Sequence, residues 1–264
     1  MARCQPDEAG PAVRMLRVGY KLSRAVLHTL SGFWIIRSRF HRLSAHEQGQ
    51  HVNAWARRML HISGIELVVQ GEPLATGPVL LVANHISWLD ILVMHSAGYC
   101  RFVSKSEVKR WPLVGTLAAG AGTLFIERES RRDAHRVVHH MVAHLQQGQV
   151  LAVFPEGTTG DGLTLKPFHA NLIQAAITAN VPVQALALRF VDKRTGQISH
   201  APRFIDDDTL LGSVWRTLTA RELFAEVTVG APAMALGRDR RTWAGDLQRE
   251  IESLRGSMPP SPRP

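Results

Sequence analysis

Residues 78–94 read Pro-Val-Leu-Leu-Val-Ala-Asn-His-Ile-Ser-Trp-Leu-Asp-Ile-Leu-Val-Met. The apolar run Val79-Leu80-Leu81-Val82-Ala83 shows no alternation, which suits a strand covered on both faces. Ser87-x-x-Asp90 then has the spacing of a helix start, and a second apolar run follows it. The stretch therefore reads strand, turn, helix, the opening of a βα unit. It also embeds polar side chains, His85 and Asp90, in core-like surroundings.

The same alternation extends in both directions. Ser44-x-x-Glu47 fits a capping box for a helix over 45–61, with Val52, Trp55, Ala56, Met59 and Leu60 at helical spacing and Gly64 as its stop. Strands are expected at 65–70, 79–83, 101–104, 123–126, 150–154, 181–190 and 223–229. Helices are expected after Asp90 through Met94 and at 171–179, 210–220 and 240–255. The clearest is capped by Ser130-x-x-Asp133, with Ala134, Val137, Val138, Met141, Val142 and Leu145 forming one apolar stripe up to Gly148. This is an α/β pattern with a central, mostly parallel sheet flanked by helices. The chain divides into an N-terminal helical region (1–62), the α/β domain (63–235), and a C-terminal helix with a proline-rich tail (236–264).

At 264 residues and 45% hydrophobic content, the chain can bury a full core, which excludes global disorder. Two cysteines are too few for a disulfide framework and favour a reducing compartment. Lys and Arg outnumber Asp and Glu by 31 to 22, a formal +9, so an anionic partner is expected. Basic residues occur in small groups without a long run interleaved with aromatics. Nucleic acid therefore ranks behind a membrane surface or a phosphorylated substrate.

The N-terminus carries acids and no small-residue cleavage pattern, so a removed secretory signal is not expected. The apolar segment 25–36 is about 12 residues long, short of the roughly 20 that a spanning helix needs. Arg14, Arg17, Lys21, Arg24, Arg37, Arg39 and Arg42 surround it, with Phe33 and Trp34 suited to the headgroup boundary. Packing against the domain and docking on an anionic membrane surface explain it equally well.

His85 and Asp90 admit two readings. Asp90 at a capping position satisfies backbone donors in the first helical turn. Alternatively, His85 folds back over that turn and the Asp90 carboxylate fixes its tautomer, the arrangement of a general base acting on a hydroxyl. Within one helix, residues five apart lie about 140° from each other, so the pair can meet only because His85 precedes the helix. Both stand at the carboxyl end of a buried strand, where α/β sheets hold their ligands. The chain has no Gly-x-Ser-x-Gly elbow, and neither cysteine lies near such a motif, so the attacking hydroxyl is expected to belong to a substrate. His135, His139, His140 and His144 have metal-compatible spacing but no completing carboxylate or cysteine, and read as a solvated helix face. No metal and no cofactor are expected.

Four blocks extend the motif: Asn84 to Asp90; Trp111-Pro112-Leu113-Val114-Gly115, preceded by Lys105; Gly122-Thr123-Leu124-Phe125-Ile126-Glu127-Arg128; and Phe154-Pro155-Glu156-Gly157-Thr158, followed by Val181-Pro182-Val183. In this order they resemble the lysophosphatidic acid acyltransferase family of glycerolipid acyltransferases, over about residues 65–190. The resemblance implies an enzyme that moves a fatty acyl group from acyl-CoA or acyl carrier protein to a lysophospholipid hydroxyl, with His85 as base and Asp90 as its partner. It implies N-terminal docking helices and a place on the cytoplasmic face of the inner membrane, peripheral or monotopic. Lys105, Arg128, Glu156, Gly157, Thr158 and Thr159 would line the acceptor's polar end; Lys105 and Arg128 can neutralise a phosphate, and Gly157 lets backbone donors approach an anion. An acyl chain also requires an apolar path to the bilayer.

The family usually has arginine where this chain has Thr159. The pattern Thr159-Gly160-Asp161-Gly162 with Lys166-Pro167-Phe168 resembles a branch that includes lyso-ornithine lipid acyltransferases, whose acceptor has no phosphate. The expected reaction is 1-acylglycerol-3-phosphate to phosphatidic acid, with lyso-ornithine lipid acylation as the alternative. A non-catalytic lipid- or nucleic-acid-binding protein is the minor alternative.

Overall fold

A computed structural model describes residues 10–126, 131–205, 208–220 and 222–257. Its elements in chain order are α1 (Pro11–Ser38), α2 (Ala45–Ser63), β1 (Ile65–Gly71), β2 (Val79–Ala83), α3 (Leu89–Ala97), β3 (Arg101–Lys105), α4 (Val114–Gly120), β4 (Leu124–Ile126), α5 (Arg131–Gln146), β5 (Val150–Val153), α6 (Ala170–Ala179), β6 (Val183–Asp192), α7 (Leu210–Thr219), β7 (Leu223–Val229) and α8 (Arg240–Gly256). Short 3-10 turns occupy Phe40–Arg42 and Ser106–Arg110.

The seven strands form one sheet in the order β1-β7-β6-β2-β5-β3-β4. Every pairing is parallel except β6 with β7. The run Val79 to Ala83 is buried at every position, as its lack of alternation requires. Leu80 and Val82 face a core layer built with α5, α6 and α8, whereas Val79, Leu81 and Ala83 face a layer containing Leu89, Val93 and Met94 of α3. This two-sided covering places β2 at the centre of the molecule and delivers residues 84–90 to the carboxyl edge of the sheet.

Helix α2 begins with the expected capping box: Ser44 accepts from the Glu47 amide, and the Glu47 carboxylate accepts from the Ser44 amide at 2.7 Å. It ends at Gly64 in a left-handed conformation with φ 80°. The Ser130–Asp133 cap, and the proline-rich tail from residue 258, lie outside the described residues. Helix α1 is longer than its apolar segment: 28 residues, because Arg14, Arg17, Lys21 and Arg24 continue the helical spacing with good helix formers. Among the described residues, no helix is long and apolar enough to cross a membrane. Helix α8, grouped with the tail in the sequence-based division, contributes the fully buried Trp243, Leu247 and Ile251 to the core of the α/β domain.

Candidate active site

His85 lies two residues beyond β2, in the turn that precedes α3. Its Nδ1 is 2.8 Å from Asp90 Oδ2. The same oxygen accepts the amides of Ile86 at 2.6 Å and Ser87 at 2.8 Å. Asp90 therefore closes the turn and orients the imidazole at once; the helix-start reading shifts, because Trp88 holds the N-cap of α3 without a side-chain cap bond and the amides that Asp90 accepts precede the first helical turn. Because a carboxylate only accepts, the proton resides on Nδ1 and Nε2 presents its lone pair. Asp90 is fully buried, while the His85 side chain is 18% exposed. No hydrogen bond engages Nε2 among the described residues.

The loop after β5 fixes the backbone of His85 from both sides. Glu156 accepts the His85 amide through Oε1 at 2.8 Å and the Lys166 amide through Oε2 at 2.9 Å. The Gly160 amide donates to the His85 carbonyl at 2.7 Å. Burial raises the Glu156 pKa, opposed by the two amides and by His85. The His85 ring stacks on Phe154, with centroids 3.9 Å apart and planes within 5°. Phe102 lies behind Phe154 at 5.5 Å, and His95 meets Phe102 edge-on at 5.1 Å. Burial pushes the His95 pKa down to about 4, so this histidine is neutral near pH 7.

A strap from the segment before α7 covers the turn. Ser87 Oγ donates to the Pro202 carbonyl at 2.5 Å, and the Phe204 amide donates to the Ile86 carbonyl at 3.2 Å. Thr159 Oγ1 donates to the Phe204 carbonyl. Its hydroxyl thus knits the loop to the strap. Lys166 Nζ donates to the Thr159 carbonyl at 2.8 Å, which sets an ammonium beside the loop that carries Gly160.

Of the residues singled out in the sequence, the fold brings His85, Asp90, Glu156 and Thr159 into one hydrogen-bonded cluster. Gly157 has φ 73°, and a Cβ there would lie 2.8 Å from the His169 ring. Its amide donates to the Phe154 carbonyl, so that donor closes the turn instead of facing an anion. Thr158 is exposed on the same loop, Lys105 is exposed at the end of β3, and Arg128 lies outside the described residues. The stacking of Phe154 on the histidine, the bonds of Lys166 to Glu156 and Thr159, and the strap on Ile86 and Ser87 were not expected from the sequence. Phe154 and Lys166 each stood in a motif; the strap acts through backbone groups and leaves no pattern. Two cavities, of about 440 and 310 Å³, open elsewhere: one beside β3 and β4, the other lined by His46, Gly49, Gln50, Asn53 and Tyr99.

The acyltransferase family model matches residues 64–189. A lyso-ornithine lipid O-acyltransferase of Pseudomonas aeruginosa is 36% identical over 208 residues, covering 78% of this chain and 79% of that protein. A 1-acyl-sn-glycerol-3-phosphate acyltransferase of Neisseria gonorrhoeae is 41% identical over 187 residues, covering 70% of this chain and 72% of its own. The crystal structure of the 1-acyl-sn-glycerophosphate acyltransferase of Thermotoga maritima shares the fold, with a TM-score of 0.62 and 18% identity over 90% of this chain and 99% of that one. A buried strand ending in a carboxylate-oriented imidazole, set in this fold and among these relatives, places the chain in the acyltransferase family that contains the lysophosphatidic acid and lyso-ornithine lipid acyltransferases.

Proposed function

We propose that the protein transfers a fatty acyl group directly from acyl-CoA or acyl carrier protein to the free hydroxyl of 1-acylglycerol-3-phosphate, giving phosphatidic acid. The observation that carries this is the His85–Asp90 pair with Nε2 unengaged. Nε2 takes the proton of the acceptor hydroxyl as its oxygen attacks the thioester carbonyl. The tetrahedral intermediate collapses with cleavage of the C–S bond, and the imidazolium returns the proton to the departing thiolate. Ester and free thiol result, with no covalent enzyme intermediate. Asp90 holds the ring and offsets the charge that the imidazole acquires.

A second acceptor, lyso-ornithine lipid, is favoured by one feature. Thr159 stands where a guanidinium would clamp a phosphate, and its hydroxyl is committed to Phe204. Mass spectrometry of products from purified protein, both acceptors and both donor types separates the two. His85→Ala should reduce transfer to either acceptor by roughly a thousandfold or more with the fold retained. Near-normal turnover would rule out this base.

We propose that the protein works docked on the cytoplasmic face of the inner membrane, a reading supported by the exposed side chains of α1 and α7. Met15, Leu16, Leu27 and Trp34 of α1 are 58–74% exposed on a helix that also carries Arg14, Arg17, Arg24 and Arg37. Helix α7 packs against α1 and adds Leu211 and Trp215 as exposed apolar side chains. Apolar groups with basic neighbours suit the boundary of an anionic leaflet.

A further inference from the structure

The loop after β5 grips the backbone of His85, so whatever anchors that loop sets the register of the imidazole. Its middle is held through both kinds of backbone group. Asp161 Oδ1 accepts the amides of Leu163 at 2.8 Å and Thr164 at 3.1 Å. Arg255 Nη2 donates to the Gly162 carbonyl and, at 3.0 Å, to the Leu163 carbonyl. Gly162 has φ 79°, and a Cβ there would lie 3.4 Å from the Ile86 side chain. The arginine therefore takes hold where the loop lies against the residue next to His85.

Helix α8 delivers this guanidinium. Trp243, Leu247, Ile251 and Arg255 follow one another at intervals of four and so share one face of the helix. The first three are buried in the layer that includes Val153 of β5 and Leu172 of α6. The row that seats the helix thus ends in the arginine, whose side chain is only 12% exposed. Its Nη1 donates to the exposed Glu252 carboxylate at 2.9 Å. The loop's other long-range bonds run to His85 and Phe204, the parts it steadies. Arg255 instead ties it to a helix set in the core, by charge-assisted bonds from a planar fork that lysine cannot reproduce.

We infer that Arg255 is a positioning residue for acyl transfer: by fixing the carbonyls of Gly162 and Leu163, it holds the Glu156–Gly160 part of the loop on the His85 backbone and so sets where Nε2 lies. This rests on the reading of His85 as the base. Without the guanidinium the loop keeps its turn through Asp161 but loses its tie to α8, and the imidazole spends less time aligned. A displacement of about 1 Å at a reacting centre costs on the order of a hundredfold in rate.

The test compares steady-state transfer and amide hydrogen exchange in wild type and three variants. Arg255→Gln should lower kcat by about tenfold to a hundredfold with donor and acceptor KM unchanged, because the loss falls on alignment and not on binding. Arg255→Lys keeps a cation and a donor and should recover part of that rate. Glu252→Gln removes the exposed ion pair without touching the loop and should keep the full rate. An unchanged kcat in folded Arg255→Gln, a rise in KM alone, or an equal loss in Glu252→Gln would overturn the assignment. Hydrogen exchange needs no turnover. The amides of His85, Gly160 and Lys166 should exchange faster in Arg255→Gln, with those of β2 and the middle of α8 as in wild type. Unchanged exchange at the three amides refutes the role, and so does acceleration that spreads through α8 and β2. If Arg255→Gln does not fold, Arg255→Lys carries the same two measurements. Retained turnover in His85→Ala would instead remove the base reading, and the exchange result would still decide whether Arg255 holds the loop.

Discussion

One carboxylate oxygen of Asp90 serves both the His85 imidazole and the two amides of the turn, while its second oxygen is buried without a hydrogen-bond partner among the described residues. Asparagine can keep an acceptor at the first position and set its amide at the second, so Asp90→Asn should fold. It removes the charge that steadies an imidazolium, and turnover should fall by about a hundredfold to ten-thousandfold. Asp90→Ala strands two buried amides and should lower unfolding stability by about 2–4 kcal/mol. Denaturant titration and a transfer assay on both variants check the pair; full activity in Asp90→Asn would leave the carboxylate with turn closure alone.

Glu156 provides a pH-dependent handle. Its folded pKa lies above the ordinary carboxylate value of 4.5 because burial disfavours the charge. The folded protein therefore binds more protons than the unfolded chain between 4.5 and the raised value. Across that window the Glu156 contribution becomes more favourable as pH falls. Unfolding free energies of wild type and Glu156→Gln, measured from pH 7 down to 4.5, should show the gap moving in favour of wild type on acidification. A constant gap would mean that the group titrates alike in both states.

Trp243 on α8 is completely buried against the layer that covers β2 and β6. Trp243→Ala should cost about 3–5 kcal/mol through lost burial and the cavity left behind. A thermal or denaturant midpoint close to wild type would show that α8 is dispensable to the domain.

Leu27 and Trp34 are 66% and 71% exposed on α1. If these side chains enter the membrane boundary, Leu27→Glu/Trp34→Glu should weaken partitioning onto vesicles containing anionic lipid by about tenfold or more. Transfer to a short-chain, water-soluble acceptor should persist. Vesicle flotation with unchanged binding would free this face of α1 from any docking role.

The strands were legible because the chain writes them locally. Val79–Ala83 is an uninterrupted apolar run, and Leu223–Val229 is apolar apart from Glu226 and Thr228; the sheet keeps both bounds. Their order was not legible. β7 lies between β1 and β6, parallel to one and antiparallel to the other, and such pairings depend on backbone groups that carry no side-chain signature. The His85–Asp90 contact was legible from spacing plus the helix start. The grip of Glu156 on the His85 amide spans 71 residues, and the Pro202–Phe204 strap comes from a segment with no periodicity. The extent of α1 was not legible from its apolar segment, because Arg14, Arg17, Lys21 and Arg24 carry the helix on with the same spacing but no apolar signal.

The dependence of residues 85–87 on Glu156, Gly160, Pro202 and Phe204 has a consequence during synthesis. A nascent chain that has already displayed the histidine and its aspartate still lacks the anchors that hold them in register. The centre becomes competent only after the ribosome has released the strap. Unfinished or prematurely terminated polypeptides ending before residue 200 should therefore be chemically silent, even where the first strands have begun to pair.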